Sequence, residues 1–173
     1  VQAYWFLAMY GHAAGQNETG GAVAGWYCAV DDLVKHMMDF YRGKRVFVTG
    51  HTGFKGTWLC QLLLMAGAQV TGFALPPEKL SLWNITGLEG KVTSILGDIR
   101  DLDALQSAFH AARPEIVFHL AAQPIVRESY RDPVGTYHTN VMGTVHILEC
   151  VRQSGQVRSI LNVTTDKVYK NNQ

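Results

Sequence analysis

The sequence predicts an α/β fold, a doubly wound parallel sheet of about five strands in the order 3-2-1-4-5. From Met37 onward, short apolar runs of strand length alternate with stretches of helical periodicity, which is typical of repeated βαβ units. The short runs are apolar throughout, as expected for strands that helices cover on both faces. A turn with three glycines follows the first run and opens a helix, at the sheet edge where such folds bind ligands.

The periodicity assigns each element in turn. Strands are expected over residues 44–49, 69–74, 92–96, 116–118 and 157–163. One helix is expected over residues 57–66, a second opens at the N-cap Asp101, and a third is expected to run without interruption over residues 133–154. Residues 76–90 and 119–132 lack a clear period and are expected to be irregular, the second with at most a helical turn.

Residues 1–36 differ in character from the rest of the chain. They are rich in glycine, alanine and aromatic residues and show no helical or strand period. We therefore divide the chain into an N-terminal extension over residues 1–36, non-native or disordered, and the first part of a nucleotide-binding domain over residues 37–173. Met37 or Met38 would then be the native start.

Composition and charge exclude several classes of function. The formal net charge of +1 among 173 residues gives no basic excess for nucleic acid. No uninterrupted apolar run reaches the ~18 residues of a membrane span, so no membrane partner is expected. Cys28, Cys60 and Cys150 are odd in number and widely spaced, which favours buried, reduced thiols over disulfides or a metal site and indicates the cytoplasm.

The strongest local signal is the sequence GHTGFKG over residues 50–56, called the glycine turn below. Gly50 permits a tight turn, Gly53 lets backbone approach a pyrophosphate, and Gly56 lets the helix pack on the strand. The helix N-terminus then offers unpaired amides and a positive dipole end to phosphate. This pattern predicts a Rossmann-type dinucleotide site whose binding residues are Gly50, Thr52, Gly53, Phe54, Lys55 and Gly56.

The second strand leaves the choice of dinucleotide open. An acidic residue usually stands there to bind the ribose 2′-hydroxyl of NAD. Residues 71–75 read TGFAL and contain neither an acid nor an arginine. We expect NAD as cofactor, with NADP not excluded by the residues themselves.

Five motifs occur in an order that carries a family resemblance. They are TGHTGFKG at 49–56, GDIR at 97–100, HLAAQ at 119–123, NVMGT at 140–144 and TTDKVY at 164–169. Over residues 40–173 the chain resembles the extended short-chain dehydrogenases/reductases. The stretches AQPIVR at 122–127, SYRDP at 129–133 and TDK at 165–167 are similar to those of nucleotide-sugar 4,6-dehydratases that act on CDP-glucose.

The resemblance implies a reaction and a cofactor site. Such enzymes oxidise the sugar at C4 by hydride transfer to bound NAD, eliminate water across C5–C6, and return the hydride to C6, giving CDP-4-keto-6-deoxyglucose. Asp98 would accept a hydrogen bond from the adenine amino group and Ile99 would pack on its ring. Leu120, Ala121 and Ala122 would line the cofactor. Asn140 would be a structural residue of the long helix, although a mid-helix Asn taken alone favours a polar surface position.

The resemblance also implies three catalytic residues, Thr165, Asp166 and Lys167. Thr165 would hydrogen-bond the sugar 4-hydroxyl, and Asp166 would protonate the departing 6-hydroxyl, which requires a raised pKa. Lys167 stands where many related dehydratases carry a glutamate base, so it either removes the C5 proton or orients the substrate. Without the other motifs, a solvated strand-end turn would be the simpler reading.

Other charged and ring side chains admit two readings. Arg127, Arg131 and Lys55 would meet the diphosphate of a nucleotide sugar or would be solvated surface charges. His51 and His119 are expected to fill space at a loop and a strand end rather than to act as acids or bases. Tyr137 and His138 are expected to pack or to face a second subunit.

Other readings of the function stay open. The Tyr-x-x-x-Lys pair of the family does not occur in residues 1–173, so we expect this polypeptide, as given, to be inactive. Asp166 and Lys167 favour a dehydratase over an epimerase or reductase of the same family, or a non-catalytic dinucleotide-binding module. The resemblance further implies a homodimer through the helix at 133–154 and a role in lipopolysaccharide O-antigen biosynthesis.

Overall fold

The structure is a computed structural model that describes residue 32 and residues 34–165. Residue contacts divide the chain into two units, Val1–Lys35 and His36–Gln173. The sheet and its helices belong to the second unit. The extension proposed for residues 1–36 lies almost wholly outside the described residues, so its character stays a prediction.

The predicted sheet is confirmed in strand number, direction and order. Five parallel strands lie in the order β3-β2-β1-β4-β5. Their bounds are β1 Arg45–Thr49, β2 Gln69–Ala74, β3 Thr93–Leu96, β4 Ile116–His119 and β5 Ser159–Asn162. Because all strands run the same way, their carboxyl ends meet at one edge, where the glycine turn follows β1.

Helices cover both faces of this sheet. Those between β1 and β4 are α1 Phe54–Met65, α2 Leu82–Thr86 and α3 Leu102–Ala112. Between β4 and β5 lie α4 Val126–Arg131, α5 Pro133–Tyr137, a π-helical segment His138–Met142, and α6 Gly143–Ser154. Within the described residues, none of these helices has the length and apolar character that a membrane crossing requires.

The core forms two layers because β1 points alternate side chains to opposite faces. Val46 and Val48 pack with Cys60 and Leu63 of α1 on one face. Phe47 packs on the other face with residues of β4, α3 and α6, namely Val117, Leu105, Phe109, Ile147 and Cys150. Cys60 and Cys150 are free and buried, as expected, and burial raises the pKa of the Cys60 thiol to about 12. Cys28 lies outside the described residues.

Three differences from the predicted elements have local causes. The helix expected at 57–66 begins at Phe54, because the glycine turn itself supplies the first helical turn. The irregular stretch 76–90 contains α2, whose N-cap Ser81 accepts a hydrogen bond from the Asn84 amide and whose C-cap Gly87 is left-handed. The helix expected to run without interruption over 133–154 contains the π-helical segment.

Candidate functional site

The glycine turn is shaped by close backbone approaches. Gly50 has φ +74°, and its amide donates to the Phe73 carbonyl at 2.9 Å. A Cβ on Gly50 would lie 2.9 Å from the Ala121 nitrogen. A Cβ on Gly56 would lie 2.7 Å from the His51 Cα and would overlap the Gly50 carbonyl oxygen. Gly50 and Gly56 are therefore required by the packing of the turn itself.

The N-terminus of α1 is left open to an anion. Its N-cap is Gly53, which has no side chain to accept from the first-turn amides, and no acidic residue stands in that turn. By contrast, Asp101 caps α3 by accepting from the Ala104 amide, and Asp103 follows it in the first turn. An uncapped N-terminus combines free N–H groups with the positive end of the helix dipole. This is the arrangement that binds phosphate groups.

Thr52, Phe54 and Lys55 occupy the outer side of the turn. The Thr52 hydroxyl donates to the Leu75 carbonyl at 3.0 Å and so ties the turn to the end of β2. Phe54 and Lys55 are exposed. Leu75, which stands where an acid would bind a ribose, is also exposed.

The His51 side chain is buried beneath the glycine turn. Its Nε2 lies 2.7 Å from the Ser94 hydroxyl of β3, and its ring meets Trp83 edge-on with centroids 4.8 Å apart. The ring reaches β3 across Gly72 of β2, where a Cβ would lie 2.6 Å from the His51 Nδ1. Burial lowers the pKa of His51 to about 4, so the ring is neutral at pH 7. This agrees with a space-filling role.

Asp98 and Ile99 lie where the chain leaves β3, and Ile99 packs against the long helix. Both Asp98 carboxylate oxygens accept from Arg100, at 2.6–3.0 Å, and these hydrogen bonds hold the pKa of Asp98 below its usual value. Ile99 is buried, and a Cβ on Gly143 would lie 2.9 Å from its Cγ2. The His146 Nδ1 lies 3.0 Å from the Ile99 carbonyl, to which it donates.

The β4 exit loop, residues 120–125, meets the glycine turn directly. The Leu120 and Ala121 amides both donate to the Thr49 hydroxyl oxygen at 3.1 Å. His119, at the end of β4, is buried between two hydroxyls, with Nδ1 2.7 Å from that of Thr49 and Nε2 3.1 Å from that of Thr144. Burial lowers the pKa of His119 to about 4. Ala122 follows in the same loop and is exposed.

Asn140 fastens the same loop to the long helix. Its Oδ1 accepts from the Gln123 amide at 2.7 Å, and its Nδ2 donates to the Gln123 carbonyl at 3.1 Å. Asn140 lies within the π-helical segment. The structural role expected for Asn140 thus has a geometric form, and the surface reading is wrong.

The three predicted catalytic residues fall at the limit of the described chain. Thr165 is exposed and lies three residues beyond the end of β5, whose Asn162 pairs with His119. Asp166 and Lys167 lie outside the described residues. Their roles stay predictions.

The basic residues proposed to meet a diphosphate are all on the surface. Arg131 pairs with Glu128 of its own helix at 3.3 Å, and Arg127 and Lys55 are exposed. Both readings of these residues therefore stay predictions.

The carboxyl edge of the sheet thus brings most predicted binding residues together. Gly50 and Ala121 are in contact, Thr52 holds the β2 exit, and Asp98 and Ile99 stand at the β3 exit. The residues that organise these loops from behind were missed by sequence reasoning: Thr49, Arg100, Thr144, His146 and the Gln123 backbone. Their partners lie 2 to 72 positions away along the chain, and hydrophobic periodicity does not report them.

Comparison with known proteins gives a consistent result. The family model described as GDP-mannose 4,6 dehydratase matches residues 47–173. A CDP-glucose 4,6-dehydratase of Salmonella typhimurium is 54% identical over 134 residues, which cover 77% of this chain and 37% of the relative. A UDP-glucose 4-epimerase of Mycolicibacterium smegmatis is 35% identical over 126 residues, with 70% and 38% covered.

Solved structures agree with the fold. An epimerase from Methanothermobacter thermautotrophicus superposes with a TM-score of 0.68 at 31% identity, covering 78% of this chain and 39% of that one. A UDP-glucose 4-epimerase of Thermus thermophilus in complex with NAD gives a TM-score of 0.57 at 32% identity, with 65% and 35% covered. The chain spans less than half the length of each of these relatives.

Proposed function

The chain belongs to the GDP-mannose 4,6 dehydratase family, and on that premise we propose that the whole protein is a nucleotide-sugar 4,6-dehydratase that uses NAD and acts on CDP-glucose. Support for CDP-glucose comes from the 54% identity to a CDP-glucose 4,6-dehydratase. Because the chain spans 37% of that relative, activity and substrate are proposed for the whole protein rather than for these residues alone.

The observation that carries the proposal is the geometry of the glycine turn. Gly50 and Gly56 bring β1, α1 and the β4 exit loop to backbone contact, and Gly53 leaves the α1 N-terminus without a capping side chain. Two negative phosphates suit a site that offers amides and a helix dipole but no carboxylate. This supports a role for Thr52, Phe54 and Lys55 beside the pyrophosphate of a dinucleotide.

We assign the adenine end of the cofactor to the β3 exit. A carboxylate held by Arg100 has a fixed direction and stays ionised, so Asp98 is suited to accept a hydrogen bond from an amino group. The Ile99 side chain is buried against Gly143. This favours contact of the Ile99 backbone with the adenine ring over stacking of its side chain on that ring. Leu120, Ala121 and Ala122 would line the other end, where the two alanines leave room for the nicotinamide ribose. NAD is favoured by the NAD complex of a related epimerase.

The proposed chemistry places three residues beyond β5. When bound, NAD supplies a hydride acceptor for C4 and a donor for C6. Thr165 would donate a hydrogen bond that orients the sugar 4-hydroxyl. Asp166 would deliver a proton to the departing 6-hydroxyl, so that it leaves as water, and Lys167 would take the C5 proton or hold the substrate. A tyrosine base with a nearby lysine is expected further along the whole protein.

Turnover by the whole protein tests this assignment. With CDP-glucose, we expect a product lighter than the substrate by one water and no net reduction of NAD. Asp166→Asn should lower kcat by about 10²–10⁴-fold, because it removes the general acid, while leaving NAD affinity unchanged. A product of unchanged mass with inverted C4 would instead establish the epimerase alternative. Turnover of GDP-mannose or UDP-glucose in preference to CDP-glucose would overturn the proposed substrate.

We further propose that the whole protein is a cytoplasmic homodimer that serves lipopolysaccharide O-antigen biosynthesis. The long helix exposes an apolar row at helical spacing, comprising Val134, Tyr137, Val141, Val145 and Leu148. Such a row favours burial against another helix. Sedimentation equilibrium of the wild type and of Val145→Glu tests the dimer: we expect the charge to shift the equilibrium toward monomer, and a monomeric wild type would contradict it.

A further inference from the structure

Three side chains, two at the carboxyl ends of β1 and β4 and one on α6, are linked by hydrogen bonds. Thr49 of β1 contacts His119 of β4, His119 contacts Thr144 of α6, and the Thr144 hydroxyl donates to the backbone carbonyl of Asn140 at 2.8 Å. Asn140 in turn holds Gln123 of the β4 exit loop by two hydrogen bonds. The hydrogen-bond series therefore contacts the β4 exit loop twice, at Ala121 through Thr49 and at Gln123 through Asn140.

Counting donors and acceptors fixes the direction of these bonds. The Thr49 hydroxyl oxygen accepts from the amides of Leu120 and Ala121, which occupies both of its lone pairs. Its single O–H must then donate to His119 Nδ1, so that nitrogen carries no proton. In a neutral imidazole the proton lies on Nε2, which donates to the Thr144 oxygen. The Thr144 proton is already given to Asn140, so every bond in the chain has one donor and one acceptor.

At the Thr49 end, this series of hydrogen bonds positions the backbone that faces the glycine turn. Ala121, whose amide is held by Thr49, is the residue that a Cβ on Gly50 would strike at 2.9 Å. The Thr49 hydroxyl thus holds the Ala121 backbone beside the turn, next to the 3.2 Å hydrogen bond that the Leu120 amide donates to the Thr49 carbonyl. His119 orients that hydroxyl, since a ring protonated at Nδ1 would offer it no acceptor.

We propose that His119 is a positioning residue for dinucleotide binding, a neutral imidazole protonated at Nε2 that fixes the spacing between the glycine turn and the β4 exit loop through Thr49 and Thr144. The inference rests on the proposed function, because it takes the dinucleotide as the ligand of that edge. His119 is buried and touches no ligand in this account; it acts through the Thr49 hydroxyl and the Ala121 backbone.

Matched valine and serine variants at Thr49 and Thr144, whose hydroxyls flank the His119 ring, test the positioning role of His119. Thr144→Val is nearly isosteric, lies on α6 rather than on the loop, and removes only the hydroxyl that receives the Nε2 proton. Loss of one buried hydrogen bond should weaken NAD binding about tenfold by calorimetry on the full-length protein. Thr49→Val should weaken NAD binding at least as much. Thr49→Ser and Thr144→Ser keep the hydroxyls and should therefore bind NAD within about twofold of the wild-type affinity.

A spectroscopic measurement separates positioning from general stability. The ¹⁵N chemical shifts of the His119 ring in the wild type should show a protonated Nε2 and an unprotonated Nδ1, and Thr49→Val should allow the other tautomer to appear. A proton on Nδ1 in the wild type would overturn the proposal, and so would unchanged NAD affinity in Thr144→Val. Failure of the wild type to bind NAD would instead overturn the proposed function, so the two failures are distinguishable.

Discussion

Gly50 illustrates how a single missing side chain serves both conformation and contact. Its φ of +74° is strained for any residue with a Cβ, and that Cβ would also meet the Ala121 backbone. Gly155 has a similar φ of +58° but open space around it. A side chain at Gly155 would therefore meet conformational strain alone, whereas one at Gly50 would meet both strain and steric overlap.

Alanine substitution at these positions is the first prediction. Gly155→Ala should lower the free energy of unfolding by roughly 1–2 kcal/mol, the cost of a left-handed non-glycine residue. Gly50→Ala should cost about 1–3 kcal/mol more, because backbone must move to admit the methyl group. Denaturant unfolding measures both, and calorimetry with NAD should show lost binding only for Gly50→Ala. Equal destabilisation would contradict the close approach to Ala121.

The contact between His51 and Gly72 is a pair of complementary shapes. The ring occupies the space that a Cβ of Gly72 would need on its way to Ser94. Gly72→Ala should therefore destabilise the wild type by about 1–3 kcal/mol but should cost less in a His51→Ala background. A double-mutant cycle by chemical denaturation gives the coupling free energy. Additive effects of the two substitutions would show that the residues are independent.

Sequence reasoning found the glycines of the turn because each role depends on neighbours in the chain. It did not find Thr49 or Thr144, whose types are ordinary and whose partners are brought near by the fold, nor Arg100, whose partner Asp98 lies two positions away but in an irregular loop. His51 and His119 were expected to fill space. The structure confirms the burial of both and adds hydrogen bonds that the sequence does not report.

At the scale of elements, the long helix serves as a frame for two exit loops. Its π-helical segment carries Asn140, which holds Gln123, and α6 carries Gly143 and His146, which hold Ile99. π-helical turns inside α-helices occur frequently at functional sites. Hydrophobic periodicity predicted the extent of this helix correctly but could not predict the segment, because the apolar pattern does not report a change in backbone hydrogen bonding.

Asn140 holds the β4 exit loop to this helix through both atoms of its side-chain amide. Asn140→Asp keeps the acceptor for the Gln123 amide but places a second carboxylate oxygen against the Gln123 carbonyl. We expect a loss of about 1–3 kcal/mol in the free energy of unfolding and faster hydrogen exchange at the Gln123 amide. Thr139→Ala, at the neighbouring position of the same segment, is the matched control and should leave that amide protected. Unchanged hydrogen exchange of the Gln123 amide in Asn140→Asp would show that the Asn140 side chain does not hold the β4 exit loop.

At the scale of the whole molecule, two neutral buried histidines make stability depend on pH. The pKa values of His51 and His119 are lowered to about 4 from an ordinary value of 6.5. The unfolded chain therefore binds more protons than the folded chain between these values. Both contributions are fully present above pH 6.5 and are lost as the pH falls through 4, up to roughly 3 kcal/mol for each ring.

Unfolding free energies measured from pH 8 to pH 4 check this prediction. Stability should fall through the window from about 6.5 to 4, and His119→Gln should reduce the slope by about half, since one of the two titrating rings is gone. The slope is the readout, because the substitution also changes stability at every pH. A flat profile in the wild type would mean that the rings are charged in the folded state or exposed.

The fold as a whole was predictable because every strand is a short apolar run and every crossover contains a helix. A parallel sheet follows from that alternation and from the handedness of βαβ units, and the observed order 3-2-1-4-5 is the one expected for the Rossmann type that the glycine turn indicates. The catalytic part was less accessible, since Asp166 and Lys167 rest on the family resemblance alone. The binding edge is therefore the claim on which the rest depends.

An NMR titration of the ¹⁵N-labelled protein with NAD tests that claim most directly. We predict saturable one-to-one binding, with amide shifts concentrated in residues 50–56, 98–99 and 120–122 at the carboxyl ends of the strands. The opposite edge of the sheet has a concavity of about 600 Å³ lined in part by Arg45, Gln69 and Lys91. Shifts confined to those residues, or no saturable shifts at all, would contradict a dinucleotide site at the glycine turn.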